Sequence, residues 1–243
     1  MSINQILPFI STAIMLWFTV DVLQRYFVRR NLAFLYWGIG LAMFGAGSFA
    51  EAYLSLAWNR TIFVIWYLFG AILNPAWLGQ GTLYLLVKRR WVHFAAGILI
   101  LASLASAVLM LSIPLNESGF HLGLPISDKL QYKAIIPPDS FKLILIPTIL
   151  FGIDGLILLV GGALYSAFLF WRKRVLPNRV IGNVLIATGA LSVGTSSVLT
   201  GLGYGQYLYL GELLAAILMF IGFRFAARPQ PDEIAQPVPV AAG

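Results

Sequence analysis

Seven long apolar segments, separated by short charged or Gly- and Pro-rich breaks, constrain this chain more than any other feature. They lie near residues 4–28, 32–55, 61–87, 91–113, 142–171, 180–203 and 206–227. A helix needs about 20 mostly apolar residues to cross the hydrocarbon core of a bilayer, and lipid cannot satisfy the polar groups of an unpaired backbone. The sequence therefore predicts an all-α integral membrane protein, a bundle of seven transmembrane helices within residues 1–227.

The composition excludes an ordinary water-soluble domain. Of the 243 residues, 60% are hydrophobic and 10% are charged, whereas soluble domains have about 25% charged residues. The chain contains no cysteine, which removes disulfides, thiolate metal sites and cysteine nucleophiles. The net charge of +7 does not indicate nucleic-acid binding, because the basic residues lie at the ends of the apolar segments, where they anchor helices at a membrane surface.

Lys and Arg are distributed unevenly between the two predicted sides of the membrane. Twelve of the sixteen fall on the side that also holds the C-terminus. The other four lie on the side of the N-terminus and are Arg60, Lys129, Lys133 and Lys142. Short cytoplasmic loops retain an excess of basic residues. We therefore expect a multi-pass protein of the cell membrane with its N-terminus outside and its C-terminus in the cytoplasm, which requires an odd number of spans.

Two stretches are predicted to lie outside the membrane. The outer loop, residues 114–141, is rich in turn-forming residues and is longer than most ordinary connections, so it is either a cap over the bundle or a plain loop. Residues 228–243 contain four prolines and no apolar periodicity, which predicts a disordered Pro-rich cytoplasmic tail. We expect no output domain within this chain.

Acidic residues inside the apolar segments are the strongest indication of a functional site, because charge at membrane depth is expensive and usually faces a cavity. Asp154 lies near the middle of the fifth span, Glu212 just below the outer end of the seventh, and Glu51 near the outer end of the second. If these helices adjoin, they form an outward-facing polar cavity for a small cationic or polar ligand. The alternatives are that Asp154 is a neutral hydrogen-bond donor to another helix, and that Glu51 is solvated at the surface.

Asn74 and Gln80 extend this candidate site into the third span. Asn74 precedes Pro75, which frees carbonyl groups in the preceding turn, and polar side chains beside such a kink can line a cavity. Asn74 could equally bond to the loosened carbonyls of its own helix. In the first span, Asp21 precedes Arg25 by four residues, which predicts a local ion pair rather than an ion site.

Motifs for catalysis and cofactor binding are missing from the sequence. There is no GxSxG, Walker A or GxGxxG pattern, and the two histidines, His93 and His121, fall on opposite sides of the predicted membrane, where they cannot share a metal. The last two spans hold no lysine for a retinal Schiff base. We therefore predict that the protein is not an enzyme and has no catalytic residues, no cofactor, no metal and no nucleic-acid partner.

Two functions are compatible with this pattern. The first is a receptor-like or sensory module that binds a small ligand in the outward cavity and signals through a separate cytoplasmic or membrane protein partner. The alternative is a small-solute transporter in which spans 1–3 and 5–7 form two groups of the same orientation joined by the fourth span, a 3+1+3 arrangement. An accessory subunit of a membrane complex is a third interpretation. The predicted ligand-binding residues are Asp154, Glu212, Asn74, Glu51 and Gln80.

Overall fold

The computed structural model describes residues 3–174 and 176–228, and all regular structure within them is helical. Its eight helices are α1 (Ile3–Arg29), α2 (Leu32–Leu54), α3 (Arg60–Leu86), α4 (Trp91–Ser112), α5 (Lys129–Ile135), α6 (Pro138–Arg172), α7 (Pro177–Leu202) and α8 (Leu208–Ala226). Seven of them, all except α5, are long and apolar enough to cross a membrane. The prediction of seven such helices is confirmed. The predicted tail lies outside the described residues except for Arg228.

Side-chain caps and prolines explain where several helices begin. Asn31, Asn59 and Asp128 cap α2, α3 and α5, each accepting a hydrogen bond from an N–H of the first turn at 2.8–3.1 Å. Pro138 and Pro177 open α6 and α7, positions where a missing N–H has no consequence. The sequence placed the start of α6 at residue 142. That boundary was wrong because hydropathy does not register a polar first turn that a proline initiates.

Two of the spanning helices widen into π-helical stretches, Trp66–Leu73 in α3 and Leu156–Gly161 in α6. The stretch in α3 ends directly before the Asn74-Pro75 pair. The two helices also touch here, because Gly155 of α6 lies against Pro75 with no room for a side chain between them. Single π turns inside helices often occur at functional sites.

The spanning helices form a ring of six with one helix outside it. α1 packs on α2, α2 on α3, α3 on α6, α6 on α7, α7 on α8, and α8 returns to α1. α4 lies against α3 and α6 at the edge of the ring. The chain thus forms two consecutive three-helix groups, α1–α3 and α6–α8, that meet along α1/α8 and along α3/α6.

Glycines set the close contact between α7 and α8. A Cβ atom on Gly182 would lie 2.5 Å from the carbonyl oxygen of Gly222, and a Cβ atom on Gly222 would lie 2.6 Å from the carbonyl oxygen of Gly182. Small residues let backbones approach closely in a membrane, where the hydrophobic effect does not hold helices together. At its other end α7 stops at Gly203, whose φ of +104° lets the chain turn toward α8.

The two ends of the bundle differ in composition. We call the end with Arg25, Lys88, Arg172 and Arg224 the basic end, and the opposite end the loop end. Residues 113–137, which we call the cap, fold over the loop end through a 3-10 turn (Glu117–Gly119) and α5. The cap has its own buried residues, Ile126, Gln131 and Ile135. The long connection is therefore an ordered layer packed on the bundle.

Candidate functional site

Glu51 and Glu212 meet inside the bundle, about one turn below the loop end. Glu51 projects from α2 and is 1% exposed, and Glu212 projects from α8 and is 8% exposed. Their carboxyl groups lie close enough to interact with each other. Because α2 belongs to the first three-helix group and α8 to the second, this carboxyl pair connects the two groups across the interior of the ring.

Two hydrogen-bond donors hold the carboxyl pair in place. Trp66 of α3 donates through Nε1 to Oε1 of Glu51 at 2.8 Å, and Ser48 of α2 donates through Oγ to Oε2 of Glu212 at 3.2 Å. The second oxygen of Glu51, Oε2, is buried and accepts from no donor. Ionised carboxylates can only accept, so a hydrogen bond between the two acids requires one shared proton.

The cap closes the loop end above the carboxyl pair. Tyr209, one turn before Glu212 on α8, is buried and its hydroxyl hydrogen-bonds to Ser127 of the cap. Ser127 in turn donates through Oγ to the carbonyl oxygen of Gly205 at 3.0 Å. Lys129 donates through Nζ to the carbonyl oxygen of Gly201, the penultimate residue of α7, at 2.7 Å. A ligand that enters from the loop end must displace these contacts.

The structure does not bring Asp154 to the carboxyl pair. Its side chain lies on the exposed surface of α6, and among residues 3–174 and 176–228 it has neither a hydrogen-bond donor nor a cationic partner. The three acidic helices therefore do not converge on a common cavity. Only Glu51 and Glu212 form a joint site.

Asn74 and Gln80 use their amides for backbone bonds. Asn74 donates through Nδ2 to the carbonyl oxygens of Phe69 and Gly70 at 3.0 and 2.6 Å. Because the π turn pairs each N–H with the carbonyl five residues earlier and Pro75 has no N–H, the Gly70 carbonyl would otherwise lack a donor. Gln80 donates to the carbonyl oxygen of Val92, where α4 begins, at 3.0 Å. Of the two interpretations that the sequence left open, Asn74 therefore follows the one in which it bonds to the loosened carbonyls of its own helix.

Sequence reasoning missed the two donors to the carboxyl pair. Ser48 lies three residues before Glu51, so the two share one face of α2, and that spacing could have marked it. Trp66 lies in the outer part of the third span, where tryptophan commonly anchors a helix at the membrane surface. Its indole N–H instead points inward, and no pattern in the sequence distinguishes these two roles.

Other cavities and clusters do not involve these residues. Two surface cavities of about 590 and 220 Å³ lie at the basic end, the first beside Trp171 and Arg174 and the second beside Trp17 and Arg224. Within the described residues, His, Asp and Glu form no group of three or more that could hold a metal ion. The predicted ion pair of Asp21 with Arg25 is present at 3.7 Å.

Comparisons with known proteins do not assign this site to a family. The chain matches no protein-family model, no curated protein and no solved structure.

Proposed function

We propose that this protein is a receptor-like membrane module in which a small cation replaces the proton shared by Glu51 and Glu212. The observation that supports this proposal is the burial of two touching carboxyl groups, one of which has an oxygen without a donor. An unpartnered buried oxygen is costly, and a bound monovalent cation or protonated amine would give it a partner. The two carboxylates would then both be ionised, with the cation offsetting their repulsion.

Occupation of the site is expected to change the spacing of the two three-helix groups. The proton-sharing state joins α2 and α8 directly through the two carboxyl groups, whereas a larger cation between the acids requires more room. Such a difference in contacts is what allows a ligand to shift a conformational equilibrium. We propose that the shift reaches a separate protein partner at the basic end.

The apolar interior below the carboxyl pair favours a receptor over a channel. Met15, Leu41 and Ala215 are fully buried in the six-helix interior, and their side chains pack together with those of the neighbouring helices. Within the described residues, Leu41 of α2 and Ala215 of α8 place apolar side chains between the pair and the basic end. A ligand bound at the pair would leave through the end from which it came.

We also propose that the loop end faces the outside of the cell and that the basic end faces the cytoplasm. The support is the excess of Lys and Arg at the basic end, where twelve of the sixteen lie. In this orientation the cap covers the pair on the extracellular side of the cell membrane.

The test is cation-dependent stabilisation of the full chain in lipid nanodiscs. Thermal unfolding is followed while methylammonium or sodium is added at several pH values. We expect the melting temperature to rise with one of these cations, and the effect to require less cation as the pH rises, because protons compete for the same carboxyl pair. Glu51→Gln and Glu212→Gln each remove one charge and should abolish the effect.

Asp139→Asn is the matched control. Asp139 lies at the start of α6, and its side chain is 97% exposed, so this substitution removes a carboxylate without touching the pair. Its response to cations should equal that of the wild type. The proposal is refuted if neither cation raises the melting temperature of the wild type more than it raises those of the two glutamine variants.

A transporter is the second candidate, and the division into two three-helix groups with α4 at the edge favours it. The absence of cysteine allows a direct test with Ala215→Cys, because Ala215 is buried one turn beyond Glu212 toward the basic end. An impermeant thiol reagent is applied to each face of sealed vesicles in turn. Labelling from both faces would indicate alternating access and a transporter, whereas labelling from the loop end alone would support the receptor.

A further inference from the structure

The carboxylate of Asp154 is exposed at membrane depth on the outer surface of the bundle. It lies near the middle of α6, a helix of 35 residues, and is about 25 Å from each helix end at about 1.5 Å per residue. Its neighbours on this face of α6 are strongly exposed apolar side chains, Leu150, Ile153 and Ile157. The carboxyl group therefore faces the hydrocarbon region rather than water.

A lipid-facing carboxyl group at this depth needs a partner. Ionisable residues within spanning segments almost always face a bundle interior or a water-filled cavity and pair with another group. Asp154 has neither a donor nor a cation among the described residues, and it is remote from the carboxyl pair of Glu51 and Glu212. Gly161, two turns further along α6, has open space where a side chain would be, so another helix can approach closely.

We propose that Asp154 is the docking point for a membrane-spanning helix of another protein that carries a Lys or Arg within its apolar segment. Charge complementarity selects this partner, because a basic side chain provides both the donor and the charge that Asp154 lacks. This site is independent of the function proposed for Glu51 and Glu212.

A second copy of this chain cannot provide the missing cation. Every Lys and Arg in its spanning helices lies within four residues of a helix end; the most deeply placed are Arg25 of α1 and Lys142 of α6. Their side chains therefore lie far from the depth of Asp154. In a dimer of this chain, no Lys or Arg of the spanning helices would lie at the depth of Asp154.

The test uses designed single-span peptides and the full chain in lipid vesicles. One peptide has a leucine-rich segment with a single central Lys, the control peptide has Leu at that position, and a third has the Lys at the segment end. A donor dye is attached at Leu122→Cys in the exposed part of the cap, and the peptides carry the acceptor. Association is measured by energy transfer as the peptide content of the vesicles increases.

We expect the central-Lys peptide to associate with the wild type roughly three- to thirtyfold more strongly than with Asp154→Leu, the range expected for polar contacts between helices in membranes. The other two peptides should not distinguish the variants. Asp139→Asn, which removes an exposed carboxylate at the end of the same helix, should behave as the wild type. Asp154→Lys should reverse the preference and select a peptide with a central Asp.

Two outcomes would overturn the proposal. Equal association of the central-Lys peptide with the wild type and with Asp154→Leu would show that the carboxylate selects no basic helix. Energy transfer between donor- and acceptor-labelled copies of the chain that is lost in Asp154→Leu would show instead that a second copy covers this face. Asp154→Lys makes the test independent of folding defects. A misfolded variant would lose association, whereas this variant is expected to gain a preference for the peptide with a central Asp.

Discussion

The helices α2 and α8 face each other across the ring at both ends of the bundle, with opposite chemistry. At the basic end the rings of Trp37 and Phe223 stack with their centroids 6.3 Å apart. At the loop end the contact is polar and runs from Ser48 to Glu212, with Glu51 beside it. The same two helices are therefore joined by an apolar contact at one end and by an ionisable contact at the other.

The two contacts differ in the conditions that can alter them. Aromatic packing has the same strength whatever the pH or the cation concentration. In the function proposed above, the contact between the two carboxyl groups depends on a shared proton, which a cation can replace without unfolding the protein. We infer that the basic end holds α2 and α8 together as a fixed pivot and that movement between them takes place at the loop end.

The largest expected effect comes from removing the aromatic contact at the basic end. Trp37 is 5% exposed, packs against Phe18 and Phe223, and donates through Nε1 to Oγ1 of Thr82 at 3.1 Å. Trp37→Ala should lower the free energy of unfolding by about 3 kcal/mol, because truncating a buried aromatic residue leaves a cavity. The measurement is reversible unfolding in mixed micelles.

Trp17→Ala is the control for this prediction, since Trp17 is 66% exposed on α1. Its loss should change the free energy of unfolding by less than about 0.5 kcal/mol. Equal effects of the two alanine variants would contradict the assignment of the basic end as the pivot.

A smaller effect is expected at the carboxyl pair. Glu212→Leu leaves the Ser48 hydroxyl without its acceptor and Glu51 with Trp66 as its remaining partner. The free energy of unfolding should fall by about 2 kcal/mol, as for other buried polar groups that lose their bonds. The double variant Glu51→Gln/Glu212→Gln keeps donors and acceptors but removes both charges. It should unfold within about 1 kcal/mol of the wild type, while its response to cations is lost.

The double glutamine variant sharpens the comparison between the ends. If it is as unstable as Glu212→Leu, ionisation rather than hydrogen bonding stabilises the loop end. That result would contradict a site held by a shared proton.

The number of spanning helices could be predicted from the sequence because each apolar segment is long and is interrupted by charge or proline. The pairing of Asp21 with Arg25 was also predictable, since residues four apart share a helix face. The packing of helices in the ring was not, because the pattern of apolar residues in a membrane helix does not reveal which side meets a neighbour. The sequence therefore could not separate Glu212, which faces α2, from Asp154, which faces outward.

The role of Asn74 illustrates the same limit at the level of one residue. The sequence left two interpretations open, a cavity wall and a bond to its own helix. The deciding contact is with the carbonyl of Gly70, and it depends on the π turn before Pro75. A change from α to π geometry is a matter of one added residue per turn, which the composition of the segment does not encode.

At the membrane surface of the basic end, a charged contact supports the aromatic one. Arg224 of α8 donates to Asp21 of α1 at 3.0 Å, and Arg25 lies over the ring of Phe223 at 4.8 Å. Arg224→Gln should lower the free energy of unfolding by about 0.5 kcal/mol, because exposed ion pairs contribute little. The difference from the wild type should vanish in about 1 M salt, where the Debye length is short. A loss of stability that persists in about 1 M salt would show that salt does not screen the ion pair of Arg224 and Asp21.

The smallest effect is expected in the cap and is confined to high pH. Burial raises the pKa of the Tyr132 phenol, and the nearby carboxylate of Asp128 raises it further. An unfolded tyrosine loses its proton near a pKa of about 10, so the folded cap favours the protonated phenol. The stability that the protonated phenol of Tyr132 gives to the folded cap is therefore complete below a pH of about 10. It is lost as the pH rises through the raised pKa.

We expect the cap to open more often at alkaline pH in the wild type than in Tyr132→Phe, which has no proton to lose. A cysteine at the buried position Ile126 of the cap reports opening through its rate of thiol labelling. A cysteine at the exposed position Leu122 corrects for the faster reaction of thiolates at high pH. If the corrected rate rises equally in both backgrounds, ionisation of Tyr132 does not open the cap. If it rises only with Tyr132 present, the cap is the movable part of the loop end, and access to the carboxyl pair can be controlled without altering Glu51 or Glu212.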